Sequence, residues 1–313
     1  MATRTRIDGI GAAALAGFSL LLAFNQVVIK LVNEGLQPIF LAGVRSLLAA
    51  GVLVAVMALR GAPARFRREM WGPGIAIGLV FAFEFVCLFL ALDLTTVTRT
   101  SVIFYSMPVW MALAAHFLLP GERLTRTRAA GLALAFAGVV VAILWRGGGG
   151  EASLVGDLLA LGAAFGWAGI ALIARGTRLR EVRPDMQLVW QLAVSAPVLL
   201  AASPFFGPFL REWEPVLWWG VGFQVALASG GFLFWLWLLT VYPASGVAAF
   251  AFLAPCFGVL LGWGMLGEPI GWPIAGALAL VAGGLLLMNL PVPPPQVPQK
   301  VASTTSSGRG GAS

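Results

Sequence analysis

Charge is scarce in this chain. Aspartate, glutamate, lysine and arginine make up 11% of its 313 residues, under half the ~25% of an ordinary soluble domain. That excludes a protein whose helices each turn a polar face to water. Histidine occurs once and cysteine twice. Cys87 and Cys256 each fall inside an apolar run, so neither a disulfide framework nor a familiar zinc site is expected. No Gly-x-x-x-x-Gly-Lys-Ser/Thr segment occurs, so no ATP-driven motor is carried on the chain. The expectation is a protein without metal, cofactor or catalytic motif.

Apolar sequence fills the space that charge leaves. Hydrophobic residues make up 59% of the chain. Long runs recur at 10–33, 37–59, 72–94, 100–119, 128–145, 154–174, 187–210, 215–241, 244–266 and 270–290. Each is near the ~20 residues that a helix needs to cross ~30 Å of hydrocarbon. The sequence therefore reads as an all-α integral membrane protein of ten transmembrane helices. The first run follows Arg4 and Arg6 but is too long for a signal-peptide core, so it is read as the first span. The tail, 291–313, is rich in Pro, Ser and Gly and is expected to be disordered.

The net charge of +7 has its source in the loops, so no nucleic-acid partner is inferred. With residues 1–9 cytoplasmic, one side holds Arg4, Arg6, Arg60, Arg65, Arg67, Arg68, Arg123, Arg126, Arg128, Arg175, Arg178, Arg180, Arg183, Lys300 and Arg309. The other holds only Arg146 and Arg211. The positive-inside rule then predicts both termini in the cytoplasm and an even number of helices in a cell inner membrane. Three cations remain within helices or at their ends: Lys30, Arg45 and Arg99.

Two stretches repeat. Residues 105–144, "YSMPVWMALAAHFLLPGERL…", and 252–288, "FLAPCFGVLLGWGMLGEPIG…", each carry a proline, an apolar half-helix, Gly-Glu and a small-residue-rich helix. Pro108 pairs with Pro255, Gly121-Glu122 with Gly267-Glu268, and Gly131 and Gly138 with Gly276 and Gly283. The chain divides into a first five-helix repeat, 10–146, and a second, 154–290. Five is odd, so the second repeat must run inverted. Inverted repeats mark alternating-access carriers, with the site near the midplane between halves.

These features resemble the EamA-type carriers of the drug/metabolite transporter superfamily over residues 10–290. The resemblance rests on Asn25 and Lys30, on Arg45 in "GVRSLLAA", on the proline and Gly-Glu pairs, and on "GDLLALGAAFGWAG" opening the second half. It implies ten helices, no prosthetic group, and movement of small metabolites, often outward. Leu22-Ala23-Phe24 stands where many members have Trp-Gly-Ser.

Candidate site residues follow from depth. Glu84 is a single carboxylate in "LVFAFEFVCLFLAL", and a charge at bilayer depth costs ~2.5–3.5 kcal/mol unless it faces a cavity or a partner. At 1.5 Å per residue Glu84 lies ~12 Å from the outer surface, and Arg45 and Asn25 ~10 Å. One reading makes this layer a pocket, with Asn25 as hydrogen-bonding residue, Arg45 as anion binder, and Glu84 as counter-ion or proton acceptor. The other makes Arg45–Glu84 a structural pair locking two helices together. Tyr105, ~15 Å deep, joins the candidates. So do Lys30 and Arg99, nearer the outer end, where long side chains snorkel. Trp167 and Trp190 either stack on substrate or pack. Gln191 and Gln224 read as interhelical hydrogen-bonding groups. Pro108 and Pro255 are candidate mid-helix hinges, and Glu122 and Glu268 are read as starting the helices that follow them. His116 reads as an interfacial histidine rather than a proton relay.

The function expected is a secondary carrier for small metabolites, such as amino acids, moving them outward with the gradient alone or with protons as coupling ion. An intramembrane enzyme acting on a lipid would need a nucleophile–base or carboxylate pair at one depth. Glu84 and Asp93 lie ~14 Å apart along one helix. A passive channel would need a continuous polar stripe. The partners are then a small-molecule substrate and the lipid bilayer, with substrate identity and oligomeric state left open.

Overall fold

A computed structural model of the chain describes residues 7–119, 124–145, 153–212, 214–242, 250 and 252–289. Among the described residues the long helical segments are ten: α1 (Gly9–Gly35), α2 (Pro38–Leu59), α3 (Trp71–Leu94), α4 (Val97–Leu118), α5 (Arg126–Leu144), α6 (Leu154–Gly176), α7 (Pro184–Ala202), α8 (Leu217–Val241), α9 (Leu253–Leu266) and α10 (Trp272–Met288). Eight are long and apolar enough to cross a membrane, while α9 and α10 are shorter apolar helices. The protein is an all-α, multi-pass membrane protein.

Local chemistry sets many boundaries. Asp8, Gln37, Thr125 and Ser153 each accept a hydrogen bond from a first-turn amide of α1, α2, α5 and α6, satisfying a donor that the helix cannot satisfy itself. Pro38 and Pro184 sit in first turns, where no amide hydrogen is needed. The sequence run 244–266 is helical from Leu253 among the described residues. Gly121, Glu122 and the tail at 291–313 lie outside them.

Two helices depart from regularity. α4 breaks at Tyr105–Ser106 into Val97–Phe104 and Met107–Leu118. Pro108 then falls in the first turn of the second segment, and Pro255 in the first turn of α9. Neither interrupts a continuous helix, as a mid-helix position would require; the missing amide hydrogen falls where it costs least. α8 contains a π turn, Leu227–Gly231, at its Gly-Gly pair.

Packing follows an exchange of each helix with the one five places on. α5 packs on α10, α2 on α7, and α4 on α9. α3 packs on α6 and α7, as α8 does on α1 and α2. Each self-paired set is antiparallel. Gly131 faces Gly284 and Gly138 faces Ala277, Ser101 and Thr98 meet Gly258 and Gly262, and Gln37 at the start of α2 reaches Ser203 just past the end of α7. A two-fold axis in the membrane plane produces this pattern. At the α5–α10 crossing the backbones touch: a Cβ on Gly131 would lie 2.7 Å from the Gly284 carbonyl oxygen. The residues in closest approach on α10 are thus Gly284 and Ala277, one position beyond the repeat-matched Gly283 and Gly276.

Candidate functional site

A cavity of about 250 Å³ lies between the two halves. Asn25 and Gln26 enter it from α1, Arg45 from α2, Glu84 from α3, Tyr105 from the break in α4, and Trp167 from α6. Apolar walls complete it, among them Phe18, Leu22, Phe104, Phe232 and Trp235, with Leu227 and Ala228 from the π turn of α8. Such turns recur at functional sites because they re-aim side chains out of helical register.

Both charged groups are buried, each 3% exposed. No direct hydrogen bond joins them. Glu84 Oε2 has no hydrogen-bond partner, and neither have Arg45 Nε and Nη2. The guanidinium instead lies over the Phe85 ring, 3.9 Å from its centroid, a cation–π contact that holds Arg45 by its flat face and leaves its edge free. Asn25 Oδ1 and Gln26 Nε2 are also buried and unpartnered. Gln26 is steered by its other atom, which accepts from Ser101 Oγ at 2.7 Å. Behind Glu84 stands Gly166 of α6, where a Cβ would lie 2.9 Å from the Glu84 Cβ. That glycine lets α3 and α6 close against each other while the carboxylate turns into the cavity. Buried polar atoms are normally paired, so five unpaired ones around one cavity describe a site with free donors and free acceptors.

The other expected site residues lie elsewhere. Lys30 donates to the carbonyls of Leu92 and Thr95 at 3.1 and 2.9 Å, closing the C-terminus of α3. Arg99 does not snorkel; it is 6% exposed. Its Nε and Nη2 meet both carboxylate oxygens of the fully buried Asp157 at 3.0 and 2.5 Å, and it also donates to the carbonyls of Ala142 and Trp145. Trp190 packs edge-on against Phe66 and Trp71 and covers Gly74. Phe24 turns away from the cavity, onto Phe223 and Trp219.

Two further positions, Glu268 and Gln224, differ from the sequence reading. Glu268 caps α4, accepting from the amides of Val97 and Thr98 at 2.7 Å each, and not α10, which begins four residues later. Gln224 is fully buried with neither amide atom paired, so it makes no interhelical hydrogen bond. His116 Nδ1 accepts from the Leu124 amide at 3.3 Å, bracing a loop. Sequence reasoning passed over Gln26 and the π turn. An amide beside Asn25 in an apolar run was the available signal for the first, and the Gly230-Gly231 pair for the second.

Set beside known proteins, the chain matches the model of the EamA-like transporter family twice, over residues 9–144 and 154–290. It is 27% identical to a "probable amino-acid metabolite efflux pump" of Salmonella typhimurium, over 83% of this chain and 88% of that one. It is 28% identical to the "aromatic amino acid exporter YddG" of Ancylobacter novellus, over 89% and 97%. A solved structure superimposes with a TM-score of 0.62 at 24% identity, covering 88% of this chain and 96% of the other, and shares the fold.

Proposed function

The chain belongs to the EamA-like transporter family, and from that premise we propose that this membrane transporter exports small zwitterionic metabolites of the amino-acid class by alternating access. One observation carries the reading: the cavity pairs an unsatisfied guanidinium edge with an unsatisfied carboxylate oxygen. A zwitterion supplies the complement of both. Its carboxylate accepts from Arg45 Nε and Nη2, and its ammonium donates to Glu84 and Asn25. Gln26 and Tyr105 border that contact, and Trp167 with the aromatic wall takes the side chain. A volume of about 250 Å³ suits a metabolite, falling just below the usual ~300–1,000 Å³ of drug-sized pockets. The names of the Salmonella and Ancylobacter relatives agree with this class.

Orientation and coupling belong to the same proposal. Lysine and arginine crowd the loops on the side of the N-terminus, which favours both termini in the cytoplasm of an inner membrane. The break before Pro108, the first turn of α9 at Pro255 and the π turn of α8 supply the bending points as the halves rock. Glu84 exchanges substrate for a proton between strokes. Lys30, Arg99 and Trp190 act on this cycle as structural supports.

Counterflow in proteoliposomes tests the reading with radiolabelled phenylalanine inside. External phenylalanine and leucine are expected to stimulate efflux, and Arg45→Gln to abolish the stimulation. N-acetylphenylalanine and phenylalanine methyl ester, each lacking one charge, are expected to give none. Equal stimulation by a blocked compound, or none by any zwitterion, would overturn the proposal.

A further inference from the structure

The amide of Gln224 on α8 is fully buried, and neither its Oε1 nor its Nε2 has a hydrogen-bond partner. Gln224 does not line the cavity. Glutamines that serve structure here spend their amides. Gln187 Nε2 donates to the carbonyls of Leu179 and Val182 at 2.7 and 3.1 Å, and Gln37 Nε2 to that of Ser203 at 2.8 Å. A leucine at 224 would fill the same volume without burying an unpaired donor and acceptor.

Gln224 sits one turn beyond the cavity wall. Gly220, Gln224, and then Leu227 with Ala228 succeed one another along one face of α8, and the last two line the cavity. That face lies along α1: a Cβ on Gly220 would stand 2.4 Å from Val32 Cγ2 and 3.3 Å from Val28 Cγ1. Val32 and Val28 share a face of α1 with Asn25, which lines the cavity with its Oδ1 unpaired. α1 belongs to the first half and α8 to the second. The seam between them is tight at Gly220, holds Gln224 next, and then opens into the cavity. Depth agrees. α2 and α8 start at one end of the bundle, since the Gln37 amide donates to the carbonyl of Phe209 in the loop before α8. Counting from Leu217, Gln224 lies ~10 Å down α8; counting from Pro38, Arg45 lies ~10 Å down α2.

We infer that Gln224 is a substrate-binding residue of the outward-facing state, where its amide takes one charged end of the zwitterion as Arg45 and Glu84 release it. The inference rests on the function proposed above. An amide donates to a carboxylate and accepts from an ammonium, so it matches either end. With the seam closed, as here, the side chain is out of reach. Parting α1 from α8 bares it beside Asn25, on the way from the cavity to the end where α1 meets α2. The π turn that follows Ala226 lets the first part of α8 swing without carrying the cavity wall with it. Burying the amide unpaired raises the energy of the closed seam, and pairing on opening recovers it.

The test is phenylalanine counterflow by the full chain in right-side-out and in inside-out membrane vesicles. The half-saturating concentration is read at each face, beside the melting temperature in detergent. Gln224→Leu removes the amide and keeps the volume, so its melting temperature is expected to hold or rise. Half-saturation is expected to rise roughly tenfold or more at the face nearer the α1–α2 turn, from the loss of a hydrogen bond to a charged group, and to stay unchanged at the other. Gln224→Met, unbranched and of similar length, should do the same even where leucine packs poorly. Gln187→Leu, which strips two carbonyls of their donor, should lower the melting temperature and change neither face. Unchanged half-saturation at both faces in both Gln224 variants, while the wild type responds, would overturn the inference and leave the proposed function standing. So would an equal rise at both faces. A rise at one face matched by a fall at the other would mean that the amide only biases the opening, and would also overturn the contact. No response of the wild type to any zwitterion would end both.

Discussion

Two polar regions of this molecule lie about a helical turn or two apart and are built on opposite rules. At the end of the bundle where α1 meets α2, polar groups are mostly paired. Asp157 holds Arg99 through both carboxylate oxygens, Glu268 caps α4, and Lys30 closes α3. Arg211 bridges Asp93 at 2.7 and 3.0 Å, and the backbone of 209–212 pairs with that of 34–37. Every one of these ties except that of Lys30 joins the first half to the second. In the cavity layer Arg45 and Glu84 are as deeply buried, yet their edges are unmatched. A polar group paired inside the protein is spent on structure. On the proposed function, the buried charges left open here are held for something that arrives. The difference lies in the pairing of the charges and not in residue type or depth, since each region contains an arginine and a carboxylate.

The comparison can be broken by making one chemical change, carboxylate to amide, in both regions. Asp157→Asn leaves Arg99 buried without its counter-charge, which costs about 3–5 kcal/mol. The expected reading is a fall of roughly 10 °C in apparent melting temperature in detergent, and a shift under 2 °C would show that the pair is not structural. Glu84→Gln removes a charge that has no direct partner, so the melting temperature should hold or rise. Transport should instead fall roughly ten- to a hundredfold, from the loss of a charged hydrogen bond worth ~1.5–3 kcal/mol, and what remains should not vary with pH. A variant that transports with unchanged pH dependence would remove Glu84 from the proton step, while one that melts early would return it to the structural class. The smallest effect is expected at Arg211→Gln. Its partner Asp93 is partly exposed, and such pairs contribute at most ~1 kcal/mol. Measured counterflow should change little, unless this latch limits the opening of that end.

Some of this contrast was legible before the structure. The rise per residue placed Asn25, Arg45 and Glu84 in one layer, and all three line the cavity. The same arithmetic also kept Lys30 and Arg99 as candidates, and nothing in it could separate them. Rise gives depth along a helix but not the neighbour it faces. Arg99 finds Asp157 58 positions away, and Lys30 finds the carbonyls of Leu92 and Thr95 more than 60 away. Glu268 misled for the same reason: a carboxylate before a helix reads as a local cap, and here it serves a helix 170 residues earlier in the chain.

By itself the sequence determined the ten apolar spans, the repeat and the charge asymmetry of the loops. These follow from composition and period along one strand of residues, and solvation acts on them locally. Only the tertiary structure decided which buried charges are matched and which stand open. It also placed the irregular turns of α4 and α8 at the cavity and brought the guanidinium of Arg45 onto Phe85. Those outcomes depend on the azimuth of each helix and on the partner packed against it, and such contacts form between residues that the chain holds far apart.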